Sequence, residues 1–269
     1  NSAWTNRQKS LGLSGDWIQQ LDNGKLTATL GVDQLDSRRD SSGAEFVVQQ
    51  FADKSLSTYT YGGFGNEMLR QRQYTGKLRM DWDSFNTGAI KHQLYAGLQL
   101  DRVNASFTRA QDVYSSNATL QADGSQKYNT RTRYGAGTVG LDYNSLAAYV
   151  SDTMQWRNLS LTSGLRVEHD EFLKNTNVAP RTRLDWDVQG NGQTQLGLGW
   201  ARYYGQDLLG YALREGKSAL VTYEVRNGKE INLPGTLESN RFDGVKTPYS
   251  DEWALVASQT LTPNLDAGF

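Results

Sequence analysis

Ile90-Lys91-His92-Gln93-Leu94-Tyr95-Ala96-Gly97-Leu98-Gln99-Leu100-Asp101 is the stretch that decides the fold. Ile90, His92, Leu94, Ala96, Leu98 and Leu100 fall on one side of an extended chain. Lys91, Gln93, Tyr95, Gly97, Gln99 and Asp101 fall on the other. Successive side chains of a strand point to opposite faces, so this is a strand with one apolar and one polar face. A helix would scatter the same residues around its circumference.

The period of two recurs along the chain. Leu26, Ala28, Leu30 and Val32 alternate with Thr27, Thr29, Gly31 and Asp33. Tyr74, Gly76, Leu78, Met80 and Trp82 alternate with Thr75, Lys77, Arg79, Asp81 and Asp83. Leu159, Leu161, Leu165 and Val167 alternate with Ser160, Thr162, Gly164, Arg166 and Glu168. Val178, Thr182, Leu184 and Trp186 alternate with Arg181, Arg183, Asp185 and Asp187, and Thr194, Leu196, Leu198 and Trp200 with Gln193, Gln195, Gly197 and Gly199. About ten strands are expected, over roughly 8–21, 25–37, 67–85, 90–108, 139–156, 159–171, 178–188, 193–204, 249–261 and from 265 onward. Most reach the ~9–11 residues that a tilted strand needs to cross a bilayer.

Composition agrees with a barrel and narrows the alternatives. Of 269 residues 37% are hydrophobic and mean hydropathy is −0.65, yet 11% are aromatic, which is not a disordered composition. No apolar run approaches the ~20 residues of a membrane helix. That does not exclude strands that are apolar only at every second residue. The absence of cysteine removes disulfide frameworks and thiolate metal sites. A net charge of −1 gives no basic field for nucleic acid.

Connections alternate in length. Tight turns are expected at Asp22-Asn23-Gly24, Asn86-Thr87-Gly88, Arg157-Asn158, Gln189-Gly190-Asn191-Gly192 and Thr262-Pro263-Asn264. The other connections run over about 38–66, 109–138, 172–177 and 205–248, and three of the four are long. In a meander, alternate connections share an end, so one end has hairpins and the other large loops. Outer-membrane barrels show this asymmetry. Trp17, Trp82, Trp156 and Trp186 lie near the short turns, where they are expected to form an aromatic band at the periplasmic interface. Lys77, Arg79, Asp81, Arg166, Glu168, Arg181, Arg183 and Asp185 share the opposite face. Charges facing lipid would cost about 2–4 kcal/mol each near the midplane, so these are expected to line a lumen. A soluble β-sandwich or small closed barrel that binds glycan or protein through its loops would show the same alternation.

Other chemistry is sparse. His92 falls on the lipid side by parity and His169 near a strand end, and neither has a companion at metal-ligand spacing. No nucleophile elbow, zinc helix motif or phosphate loop occurs. Asp33, Asp36, Arg38, Arg39 and Asp40 read as a solvated strand end rather than a cation site. Tyr114, Tyr203, Tyr204, Asp207 and Tyr211 sit in or beside long loops and are candidates for ligand contact. No enzymatic activity, cofactor or metal is expected.

Several ordered motifs carry a family resemblance. Leu146-Ala147-Ala148-Tyr149-Val150-Ser151-Asp152-Thr153-Met154-Gln155-Trp156, followed by Leu159-Ser160-Leu161-Thr162-Ser163-Gly164-Leu165-Arg166-Val167-Glu168, resembles a hairpin of TonB-dependent receptors. Asn177-Val178-Ala179-Pro180-Arg181, Leu196-Gly197-Leu198-Gly199-Trp200-Ala201-Arg202-Tyr203-Tyr204, Ser250-Asp251-Glu252-Trp253 and Leu261-Thr262-Pro263-Asn264-Leu265 are similar to later strands of that family, in the same order. The Pro-Arg strand and the Tyr-rich loop also look like the Oar-like receptors. The resemblance implies the outer membrane of a Gram-negative cell, outer-membrane lipid as surroundings, and uptake of a small scarce nutrient. It implies TonB as a partner acting through a plug domain, which the charged inner face would dock. Such barrels have about 22 strands. With about ten strands, no counterpart of the plug or TonB box, and Leu265-Asp266-Ala267-Gly268-Phe269 read as the start of a strand, residues 1–269 are expected to be part of a longer barrel.

Overall fold

The computed structural model describes residues 4–205, 213, 216–226, 229–231, 244–262 and 265–268. In chain order its strands are β1 (Trp4–Leu21), β2 (Gly24–Ser41), β3 (Glu45–Phe51), β4 (Tyr59–Gly62), β5 (Glu67–Trp82), β6 (Phe85–Thr87), β7 (Ile90–Arg109), β8 (Val113–Leu120) and β9 (Gln126–Tyr134). They continue with β10 (Gly137–Trp156), β11 (Leu159–Asp170), β12 (Thr176–Asp187), β13 (Thr194–Tyr204), β14 (Val221–Arg226), β15 (Lys229–Ile231), β16 (Tyr249–Thr262) and β17 (Leu265–Gly268).

The larger sheet is an antiparallel meander in the order β1-β2-β5-β7-β10-β11-β12-β13-β16-β17, with β6 paired to β7. These ten path strands are the ten expected from the alternation. The sheet is open, with β1 and β17 at its two edges, as befits part of a transmembrane barrel. The strand expected over 67–85 stops at Trp82, and Phe85–Thr87 folds back on β7 instead.

Register settles the two faces. The rung Leu30–Gly76–Leu100–Leu146 crosses four strands on one face, and Leu161–Leu184–Leu198–Leu255 crosses four more. Leu30, Leu98, Leu100, Leu146, Leu198 and Leu255 are all exposed, as lipid-facing side chains must be. The short turns use the conformations their residues permit. Gly88 has φ of 61°, and Arg157 takes φ of 54° in the two-residue β10–β11 turn.

The apolar face changes sides along the long strands. β7 has 20 residues, about 66 Å at ~3.3 Å each, far more than a membrane crossing needs. Its outward positions run Leu94, Ala96, Leu98, Leu100 and then Arg102, Asn104, Ser106, Thr108. Its inward positions run Tyr95, Gly97, Gln99, Asp101 and then Val103, Ala105, Phe107. Above the membrane the outside meets water and the inside becomes a core. There Ala105, Phe107 and Leu213 are buried and pack against Leu69, Val139 and Leu220.

The long connections differ from expectation. Each of 38–66, 109–138 and 205–248 contributes two strands to a second sheet, ordered β15-β14-β9-β8-β3-β4. β3 and β8 pair in parallel across different connections, and β9 pairs with β14. These segments lack a clean apolar face, so their strand character comes from partners distant in sequence. Asp112 ties this sheet down: Ala136 N–H donates to it at 2.7 Å and the Arg133 guanidinium at 2.5 Å. Both hold the Asp112 carboxyl below the usual carboxylate range, the Ala136 bond most strongly.

Candidate functional site

The polar face of the large sheet carries the charges singled out by alternation. Register places Thr27–Arg79–Gly97–Tyr149–Arg166–Ala179 on one inward rung. Lys77 lies opposite Gln99, Asp81 opposite Tyr95, and Arg181, Arg183 and Asp185 opposite Gly164, Thr162 and Ser160. Lys77, Arg79, Arg166, Arg181 and Arg183 line one concavity of about 840 Å³, together with Thr27 of β2 and Glu252 of β16. Strands from both halves of the sheet therefore curl around a common space.

Most of these charges are neutralised within their own strand. Arg79 pairs with Asp81 at 2.6 Å, Arg166 with Glu168 at 2.8 Å and Arg183 with Asp185 at 2.7 Å. Residues i and i+2 of a strand share a face, so an Arg-x-acid triplet closes its own ion pair there. Second contacts fix the guanidinium groups. Arg79 lies 4.0 Å over the Tyr95 ring, and Arg166 donates to Gln99 Oε1 at 3.3 Å. Arg181 lies 5.0 Å from the Tyr203 ring centroid, and among the described residues Lys77 has no ion-pair partner. The wall is a set of pre-oriented donors and acceptors of both signs, suited to a polar surface or ligand. Tyr95, Tyr149 and Gln99 belong to this wall and were not singled out from the sequence. Their inward parity is legible in the alternation, but they carry no charge to set them apart.

A second recess of about 410 Å³ adjoins it, lined by Arg166, Glu168, Asp170, Asn177, Arg181 and Tyr203 among others. Tyr203 faces inward here. Of the other loop-side candidates, only Tyr204 borders this recess among the described residues. Tyr204 has outward parity and packs against Tyr249 at 5.9 Å. Tyr114 belongs to the second sheet, under Arg131 at 4.2 Å. Asp207 and Tyr211 lie outside the described residues.

On the outward face, Trp17, Trp82, Trp156 and Trp186 all share the apolar parity, opposite Ala28, Gly24, Leu159 and Leu159 respectively. Trp200 and Trp253 form a further outward pair, one outward position from Arg202–Asp251, with rings 6.2 Å apart. Asp33 and Arg39 point to one side of β2, and Asp36, Arg38 and Asp40 to the other, so that charge run does not converge. His92 is outward as parity requires. Its Nδ1 meets Asp152 Oδ2 at 2.7 Å, its Nε2 meets the Thr87 hydroxyl, and Phe85 stacks on the ring at 5.0 Å. His169 Nδ1 lies 3.0 Å from Thr176 Oγ1.

No family model matches the chain. It is 31% identical over 261 residues to the uncharacterized protein YddB of Escherichia coli K12, an alignment covering 96% of this chain and 31% of YddB. The crystal structure of the outer membrane transporter YddB superposes with a TM-score of 0.72 at 29% identity, over 97% of this chain and 33% of that one. The ferric enterobactin receptor PfeA of Pseudomonas aeruginosa shares the fold, with a TM-score of 0.56 at 16% identity over 98% of this chain and 34% of PfeA. So does the ferric-catecholate import receptor Fiu of E. coli K12, with a TM-score of 0.53 at 10% identity over 97% of this chain and 39% of Fiu. The chain spans about a third of the length of YddB. These similarities place it in the bacterial outer membrane. By sequence the chain is similar to part of an outer membrane transporter, and by fold it matches part of the transmembrane barrel that these transporters and receptors share.

Proposed function

We propose that this barrel segment forms the wall of an active transporter that takes up a small, scarce nutrient. TonB would energise it through a plug domain docked on the inner face. The observation that carries this reading is the inward wall itself. Arg79, Arg166 and Arg183 are each pre-paired within their strand, and Arg181 and Lys77 remain available to a partner. Such a surface can hold a folded domain by replaceable polar contacts, which a passive water channel does not need. Tyr203 and the recess beside Arg181 lie on the same face, where a ligand would be handed on.

Genetic epistasis tests the reading. Cells carrying the full-length protein should outgrow cells lacking it under nutrient limitation, and that advantage should vanish in a strain without TonB. An advantage that persists without TonB would overturn active transport.

A further inference from the structure

The outward face of the upper strands carries a charge asymmetry that transport does not use. Above the outward apolar positions Leu13, Val32 and Leu100, four neighbouring strands present Arg7 and Lys9 from β1, Arg38 from β2, Arg70 and Arg72 from β5, and Arg102 from β7. Only Asp36 and Asp40 offer carboxylates among the same outward positions of these strands, taken by Arg70 at 2.9 Å and Arg38 at 2.7 Å. Arg7, Lys9 and Arg102 have no carboxylate at ion-pair distance among the described residues, and Arg72, also without one, donates to Gln34 Oε1 at 2.8 Å. Across the same sheet the matching positions behave differently. On β10, β13 and β16 they hold Asp142, Asn144, Arg202 and Asp251, with Arg202 and Asp251 paired at 2.7 Å.

Arg7 lies directly opposite Arg38 in the register. Like charges facing each other across strands destabilise a sheet unless something lies between them. Arg70 and Arg72 present two more guanidinium groups on one face of one strand, beside this pair. Guanidinium forks match phosphate oxygens bidentately. A cluster at this height meets the headgroups of the outer leaflet, because it sits where the outward face passes from apolar to charged.

We propose that Arg7, Lys9, Arg38, Arg70, Arg72 and Arg102 form a binding site for the phosphate groups of a phosphorylated lipid in the outer leaflet. The site fixes this side of the barrel to particular lipids. It rests on the outer-membrane location and not on the transport reading.

The test uses the full-length protein, purified in a phosphate-free detergent. A bis-phosphorylated glycolipid, its enzymatically dephosphorylated form and inorganic pyrophosphate are the probes, read by native mass spectrometry. Wild type should retain the phosphorylated glycolipid. R38Q/R70Q/R72Q should bind it at least tenfold more weakly, while R202Q/D251N stays within twofold of wild type. R7Q/K9Q, on the neighbouring strand, should weaken binding in the same direction and serves should the triple variant not fold. Equal binding by wild type and either basic-cluster variant would overturn the site, as would equal retention of the dephosphorylated lipid. Pyrophosphate bound as tightly as the lipid would overturn the lipid as its source.

Discussion

At the scale of single residues, the His92–Asp152 pair shows how a lipid-facing surface tolerates charge. Asp152 lies on the apolar side between Val150 and Met154, opposite Leu94 and Ser163. There its Oδ2 lies 2.7 Å from the His92 ring Nδ1, and Phe85 covers the ring. Removing one partner strands the other, whereas replacing both with apolar groups of similar size is often harmless. His92→Leu is expected to destabilise the full-length barrel in bilayers by about 1–3 kcal/mol, as an unpaired polar group does. His92→Leu/Asp152→Leu should recover most of that loss in denaturant unfolding. A double variant as unstable as the single one would show that the pair is not coupled. Gly97 illustrates a steric constraint. A Cβ there would sit 2.5 Å from Tyr149 Cζ and 2.6 Å from the Leu78 carbonyl oxygen. Gly97→Ala must push the Tyr149 ring away from the inner wall, an overpacking cost of about 1–3 kcal/mol.

At the scale of elements, adjacent residues of one strand should respond oppositely to the same substitution. Leu98 faces lipid and Gln99 faces the concave wall. Leu98→Arg is expected to cost about 2–4 kcal/mol near the bilayer midplane, and Gln99→Arg little. Unfolding in lipid vesicles measures both, and similar costs would contradict the assigned faces. The second sheet depends on Asp112, whose carboxyl is held low by Ala136 N–H and by Arg133. A carboxyl with a depressed folded value stabilises fully above its unfolded pKa, about 3.9, and loses that contribution as pH falls through the lower folded value. Hydrogen-exchange protection over 110–136 should therefore decline below about pH 4 after correction for intrinsic rates. Asp112→Asn should lower protection at neutral pH and flatten the dependence. The six strands of this sheet were not legible in the sequence. A stretch such as Tyr114-Ser115-Ser116-Asn117-Ala118-Thr119-Leu120 has no sustained apolar alternation, and its parallel partner Glu45–Phe51 belongs to another connection.

At the scale of the whole molecule, we propose that the outward Trp residues mark depth. Trp156 and Trp186 sit at hairpin ends, and Trp200 and Trp253 lie just below the polar Arg202–Asp251 rung. Their fluorescence should be quenched more by lipids labelled near the headgroup than by lipids labelled near the chain ends. Leu98→Trp should show the reverse. Uniform quenching would contradict a membrane band bounded by aromatics. The same tilt that closes such sheets carries each cross-strand rung upward. The rung of Asp81 and Tyr95 near the inner side becomes the rung of Ala201 and Glu252 toward the outer side. No single strand reveals that climb.

What the chain alone determined was the ten-strand meander, its two faces and its tight turns among the described residues; the turn expected at Thr262-Pro263-Asn264 lies partly outside them. Each of these follows from local rules: a period of two, turn residues that accept unusual φ, and the cost of charge in lipid. Tertiary structure decided where apolar and polar faces exchange sides above the membrane, which long connections pair into a second sheet, and that six cations on four strands share one outward patch. Those features depend on register between segments far apart in sequence. A one-residue slip would have placed every one of these side chains on the opposite face.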